Sequence, residues 1–126
     1  MPTRRSLTWP SRDTREGATG GKTCSQVSAA AAAANAADLA RAAVAERLAA
    51  CAQITEIRSL YWWDGSVQDS PEWRVDFKTR ADLAPRLARF VEANHSYDTP
   101  EVVVTPIIGG ATAYLAWLDQ ETTASH

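Results

Sequence analysis

The stretch SLYWWDGSVQDSPEW, residues 59–73, decides the fold because it places a turn signal between two strand-like segments. Asp64-Gly65 suits a two-residue hairpin turn, whose central residues need positive φ angles. A turn at this dipeptide fixes the register of the two strands, and side chains of one face then meet in facing pairs. The predicted pairs are Trp62 with Val67, Ile54 with Val75, and Ala52 with Phe77. Pro71 cannot donate to the ladder, so a bulge or an exposed edge is expected near it.

The segment before the hairpin predicts a strand followed by a helix. A short strand-like run passes into alanines 29–34, which are compatible with either structure. Beyond them, Leu39, Ala43, Val44 and Leu48 recur at helical spacing. The pattern predicts a first helix over about 36–50, with Asn35 as its N-cap.

The segment after the hairpin predicts a second helix, a strand and a closing helix. Apolar residues at helical spacing favour a helix over about 81–94. EVVVTPII, residues 101–108, is almost continuously apolar, which is typical of a strand in the centre of a sheet. After Gly109-Gly110, the amphipathic segment ATAYLAWLDQ ends the ordered pattern.

The order strand, helix, strand, strand, helix, strand is the split βαβ, or ferredoxin-like, arrangement. We therefore predict an α+β fold in which helices cover one face of a mostly antiparallel four-stranded sheet. Residues 1–23 lack hydrophobic periodicity and predict a flexible tail, so the expected domain is 24–126.

The hairpin is long for so small a domain. Thirteen residues, 51–63, extend roughly 43 Å as a strand, whereas a compact domain of this length is only about 35 Å across. The tip would then carry Tyr61, Trp62 and Trp63 beyond the body of the domain. Monomeric soluble proteins rarely expose so large an apolar patch. We expect an oligomer in which each hairpin lies on a neighbouring subunit.

Composition and charge exclude several classes of protein. The tail carries an excess of positive charge, while the rest of the chain has eight basic and thirteen acidic residues. Nucleic-acid binding is not expected, because phosphate contacts need clustered Lys and Arg. No apolar run approaches the roughly 20 residues of a membrane helix, so no membrane association is expected. Two cysteines are too few for a disulfide framework. The twin arginines near the start are not followed by the apolar stretch that an export signal needs. Both observations favour the cytoplasm.

Four blocks of the sequence resemble the CutA family, the divalent-cation tolerance proteins. They are AERLAACAQI (45–54), SLYWWDGSVQDSPEW with FKT (59–73 and 77–79), HSYDTPEVVVTPI (95–107) and YLAWL (114–118). The resemblance implies a ferredoxin-like homotrimer whose hairpins wrap onto adjacent subunits, as in the PII signalling proteins. It also implies binding of, or tolerance to, divalent metal ions, with copper most often named, and no enzymatic reaction.

Candidate metal ligands are few. Copper and zinc favour Cys and His ligands that converge on one point, which makes His95 and Cys51 the candidates for Cu or Zn. In relatives with proposed copper ligands, the corresponding positions hold a cysteine and two histidines; here they are Ser28, Asn94 and His95. The alternatives are that Cys51 is a buried small residue and that His95 is hydrogen-bonded at the end of the second helix, where its charged form would suit the helix dipole.

A second set of candidates could line a cleft between subunits. Glu72 and Glu101 match the family pattern, and aromatic and charged side chains supply stacking and charge for a ligand. The predicted cleft residues are Tyr61, Trp63, Glu72, Lys78, Tyr97 and Glu101. The alternative for the aromatic members is packing in the trimer, where Trp and Tyr are typical anchors. The alternative function is a PII-like trimeric sensor or scaffold that binds a small metabolite or a protein partner in this cleft. No catalytic triad or phosphate-binding loop is present to indicate an enzyme.

Overall fold

The computed structural model describes residues 23–122. In chain order the elements are β1 (Cys24–Ala31), α1 (Ala33–Ala45), β2 (Cys51–Trp63), β3 (Ser66–Arg80), α2 (Ala84–Asn94), β4 (Val102–Ile107) and α3 (Thr112–Glu121). The predicted order of elements is confirmed. The predicted tail, residues 1–23, lies outside the described residues except for Thr23, and so do residues 123–126 of the predicted domain.

The four strands form one antiparallel sheet in the order β2-β3-β1-β4. Two helices pack on one face of it, so the predicted ferredoxin-like α+β fold is confirmed. The prediction that the apolar segment 101–108 lies in the centre of the sheet is wrong, because among the strands of residues 23–122 β4 pairs only with β1 and forms an edge. Two of its valines, Val102 and Val104, nevertheless pack against the core, which accounts for its apolar composition.

The core lies between the sheet and helices α1 and α2. Side chains from alternate positions of β1 and β3 meet residues at helical spacing in the two helices. The largest fully buried side chains of this core are Phe77, Leu39, Leu87, Val27, Val75 and Val91. This core is formed by residues of a single chain.

Helix α1 begins and ends earlier than the sequence predicts. Ala32, not Asn35, is the N-cap residue, and Asn35 lies within the first turn of the helix. The alanine run is therefore divided between β1 and α1. Because all its side chains are the same, the sequence does not mark where the strand ends and the helix begins. At the other end, Arg47 adopts a left-handed conformation with φ of 64°. Leu48 N–H then bonds to the Ala43 carbonyl, which stops the helix.

The hairpin has the predicted register. Trp62 faces Val67, and Ile54 faces Val75, in a ladder that runs without interruption from the turn to Lys78. Asp64 and Gly65 have φ of 52° and 79°, as a type I′ turn requires. Pro71 causes no bulge; it lies beyond the end of β1, where one side of β3 has no partner strand within residues 23–122.

The hairpin extends beyond the rest of the sheet. Strand β1 pairs with β3 only as far as Trp73, so residues 66–72 of β3 project about 23 Å further at strand rise. On the face that the helices cover elsewhere, this projecting part exposes Leu60, Trp62 and Val67, which we call the apolar tip surface. Trp62 is 74% exposed. The prediction that the tip extends beyond the domain is confirmed.

Helix α3 closes the opposite face near the start of β1. Leu118 is fully buried there, and Asp119 lies 3.5 Å from the Arg80 guanidinium. Arg47 reaches Glu121 at 2.9 Å and joins the last turn of α3 to the end of α1. Between residues 23 and 122, no helix has the length and apolar composition needed to cross a membrane.

Candidate functional site at the end of strand β1

A cluster of polar side chains forms where β3 passes the end of β1. The last residue of β1, Ala31, faces Trp73, and Glu72 is the next residue of β3. The loop after α2 fills this step in the sheet, and Tyr97 from that loop donates its hydroxyl proton to Glu72 Oε2 at 3.0 Å. Glu72 is only 7% exposed. The loop thus covers the Glu72 carboxylate, which lies just beyond the point where β1 stops pairing with β3.

His95 anchors the loop with both of its ring nitrogens. It follows the last turn of α2 as the C-cap residue. Its Nδ1 accepts a hydrogen bond from the Tyr97 backbone N–H at 3.1 Å, so the ring proton belongs on Nε2. That nitrogen lies 2.8 Å from the Ala30 carbonyl oxygen, which can only accept. The geometry selects one neutral tautomer of His95.

Asn35 holds the same loop from the side of α1. Its Oδ1 accepts from the Ser96 N–H at 3.1 Å, and its Nδ2 donates to the Asn94 carbonyl at 3.3 Å. The side chain that predicted a helix cap therefore joins the start of α1 to the end of α2, with a partner 59 residues away in sequence. Sequence reasoning missed this role because a local cap and a long-range clamp use the same amide chemistry.

The environment keeps both rings of the cluster uncharged near neutral pH. Burial lowers the pKa of His95, and this outweighs the opposing effects of the Ala30 carbonyl and Glu72. Burial, Glu72 and Tyr61 raise the pKa of Tyr97 to about 12, so its hydroxyl remains a donor. The two rings lie 4.7 Å apart between centroids. His95 is hydrogen-bonded at the end of α2, as the alternative to a metal ligand states, but its form is neutral, since Nδ1 already accepts a hydrogen bond.

Cys51 lies in a different place. It is the first residue of β2 and faces Lys78, whereas Ala30, the partner of His95, faces Arg74. Four strand positions, about 13 Å, separate these two levels of the sheet. The Cys51 thiol instead lies 3.5 Å from the Tyr114 hydroxyl of α3. This contact is the leading cause that raises the pKa of Tyr114 to about 12.

Residues 23–122 of one subunit do not assemble a metal site. In the part of the chain that the structure describes, no three His, Cys, Asp or Glu side chains come together in a way that could hold an ion. Ser28 donates to Asp76 Oδ1 at 2.7 Å, and Asn94 donates to the Phe90 carbonyl at 2.8 Å. The described residues of a single chain therefore do not fit a closed metal centre.

The six predicted cleft residues are only partly brought together. Tyr97 and Glu72 are in contact. Tyr61 lies near enough to raise the pKa of Tyr97, and the Tyr61 hydroxyl is 3.3 Å from Ser70 Oγ. Lys78 lies six positions from Glu72 along β3, about 20 Å, and donates to Gln53 Oε1 at 2.7 Å. A cleft that unites the whole set needs more than one subunit and stays a prediction.

The two remaining cleft candidates lie apart from this cluster. Trp63 is at the hairpin turn, where it faces Ser66, and Glu101 is exposed just before β4. Neither side chain is hydrogen-bonded to Glu72 or Tyr97 within the described residues.

Comparisons with known proteins agree with this architecture. The family described as CutA1 divalent ion tolerance protein matches residues 25–121. The chain is 47% identical over 88 residues to the chloroplastic protein CutA 1 of Oryza sativa, covering 69% of this chain and 50% of that protein. It is 40% identical over 87 residues to the divalent-cation tolerance protein CutA of Escherichia coli, covering 68% of this chain and 78% of that protein.

A solved structure shows the same fold. The crystal structure of CutA1 from Oryza sativa superposes with a TM-score of 0.78 at 40% identity, covering 82% of this chain and 96% of that one. The chain spans about half the length of the full rice protein that it matches. With a family match over nearly the whole described region and a shared fold, the chain belongs to the CutA family of divalent ion tolerance proteins.

Proposed function

We propose that this protein acts in tolerance of divalent metal ions as a homotrimer, and that it binds copper-type ions, Cu²⁺ or Zn²⁺, at its subunit interfaces. The observation that carries the proposal is the apolar tip surface. Leu60, Trp62 and Val67 project beyond the sheet, and among residues 23–122 they stay 63%, 74% and 55% exposed. A second copy of the chain is the simplest cover for such a surface.

Binding at interfaces follows from the ligand geometry of one subunit. Both ring nitrogens of His95 are already hydrogen-bonded, and Cys51 lies at another level of the sheet. An ion must therefore displace the Tyr97 N–H or the Ala30 carbonyl from His95 and gain further ligands from a neighbouring subunit. We expect modest affinity, because this rearrangement opposes coordination.

The role that we propose is binding of metal ions rather than catalysis. We propose the cytoplasm as its location. Metal tolerance is what the names of its relatives state of them, and the rice relative is named as chloroplastic. The alternative of a PII-like sensor or scaffold shares the trimer, but the comparisons do not favour it over metal tolerance.

Titration calorimetry of the metal-free assembly with Cu²⁺ and Zn²⁺ tests the proposal. We expect saturable binding that weakens at least tenfold in His95→Ala and less in Cys51→Ser. The chain has one other histidine, so His126→Ala is the matched control and should bind as the wild type does. Absence of saturable binding, or binding that none of these variants changes, would contradict the proposed ligands.

A further inference from the structure

Glu72 is a buried carboxylate with little compensation for its burial. Within residues 23–122, its hydrogen bonding consists of the one contact from the Tyr97 hydroxyl to Oε2 at 3.0 Å. Removal of an ionised carboxylate from water is costly unless a positive group pairs with it. Glu72 therefore holds an acceptor oxygen and a negative charge that the described chain leaves open.

The neighbouring side chains do not supply that positive charge. His95 is held in a neutral tautomer by its bonds to Tyr97 and Ala30. Arg74, two residues further on the same face of β3, is exposed and does not turn back onto Glu72. The cation that balances Glu72 must come from outside this set of residues.

We propose that Glu72, Tyr97 and Tyr61 form a recognition site for one ammonium or guanidinium group. Glu72 Oε1 accepts its N–H in a charge-assisted hydrogen bond, and the tyrosine rings offer faces that attract organic cations. Tyr97 fixes the other carboxylate oxygen and so orients the acceptor. The cation comes either from a basic side chain of a neighbouring copy or from a free small molecule.

The chemistry of the site favours an organic cation over a metal ion. A copper or zinc ion needs three or four converging ligands. This site offers one free carboxylate oxygen, a Tyr97 hydroxyl whose proton is already donated, and a His95 with both nitrogens engaged. An ammonium or guanidinium group needs only an acceptor and an aromatic face.

The sheet leaves a route to this site. Strand β1 ends at Ala31, so the side of β3 next to Glu72 has no strand partner within the described residues. Because the loop that carries Tyr97 fills the step after Ala31, we place the approach of a side chain or small molecule on the side of the hairpin that carries Tyr61.

Two readouts on the full chain test the site: the oligomeric mass at micromolar concentration, and an NMR titration with n-butylguanidinium. The neutral isostere n-butylurea is the ligand control. The variant is Glu72→Gln, which keeps the shape and removes the charge, and the control variant is Glu46→Gln, an exposed glutamate at the C-terminal end of α1.

A fall in oligomeric mass in Glu72→Gln, but not in Glu46→Gln, supports a cation from a neighbouring copy. An unchanged mass, with butylguanidinium binding at least tenfold weaker in Glu72→Gln than in the wild type and no binding of butylurea, supports a free cation. The proposal is overturned if the oligomeric mass is unchanged and butylguanidinium either fails to bind the wild type saturably or binds Glu72→Gln as tightly as the wild type.

If Glu72→Gln does not fold, Tyr97→Phe provides a second test. It keeps the carboxylate and removes the hydroxyl that orients it, so it should weaken binding or assembly several-fold; no change in either readout overturns the site. The metal proposal is tested separately, by the Cu²⁺ and Zn²⁺ titrations of the wild-type assembly. Where Glu72→Gln leaves the oligomeric mass unchanged, its Cu²⁺ and Zn²⁺ titrations should match those of the wild type.

Discussion

Phe77 and Trp62 lie on the same face of one continuous β-ladder, yet they have opposite surroundings. Phe77 is fully buried beneath α1 and α2, whereas Trp62 is 74% exposed at the hairpin tip. The ladder extends seven residues past its neighbour β1, so the helices cover only its inner half. One half of the hairpin therefore closes a core within the chain, and the other half leaves its apolar side chains exposed, where we propose that a neighbouring subunit covers them.

The largest expected effect comes from the covered half. Phe77→Ala should cost about 3–5 kcal/mol of unfolding free energy, because it leaves a cavity under two helices. Chemical denaturation at matched protein concentration measures this loss. A cost below about 1 kcal/mol would mean that the region is not closely packed.

The exposed half should respond through assembly instead. Trp62→Ala removes little packing within one subunit but should weaken the oligomer by about 2 kcal/mol or more, as expected of an interface anchor. Sedimentation at a series of concentrations measures this change. Arg41→Ala, on the exposed side of α1, is the control and should leave the assembly unchanged; equal effects of the two substitutions would contradict the distinction.

The turn that joins the two strands should show a smaller effect. Gly65 has a φ of 79° with open space around it, so Gly65→Ala tests backbone strain alone. We expect a loss of about 1 kcal/mol. Gly109→Ala, which is equally open and has no positive φ, is the matched control and should cost much less. Thermal unfolding of both variants measures the difference.

The smallest effect concerns the loop at the end of β1. The pKa of His95 is lowered in the fold, so the unfolded chain binds its proton more readily. Stability should be full above the ordinary histidine pKa of about 6.5 and should fall as the pH drops below it. Denaturation at several pH values should show this slope, His95→Gln should reduce it, and His126→Gln should not. A slope that His95→Gln leaves unaltered would show that this ring does not titrate with unfolding.

The parts of the fold that the sequence predicted well are those set by local chemistry. Asp64-Gly65 determines the hairpin register, and the helical spacing of Leu87 and Val91 marks the buried face of α2. The start of α1 was mispredicted because the alanines at this boundary suit both a strand and a helix. The edge position of β4 depends on the order of strands across the sheet, which its apolar composition does not encode.

The candidate site was less accessible to sequence reasoning. Glu72, Tyr97 and His95 were each singled out, but their contact depends on where β1 ends and how the next loop crosses that end. Asn35 and Tyr114 act through partners about sixty residues away. No local pattern reveals such contacts, because each arises only when distant elements pack together.

The most direct test of the account is the mass of the wild-type protein, measured by light scattering at micromolar concentration beside Trp62→Ala. The account predicts three times the chain mass for the wild type and a lower mass for the variant under the same conditions. A monomeric wild-type protein with its hairpin tip in water would contradict the central claim.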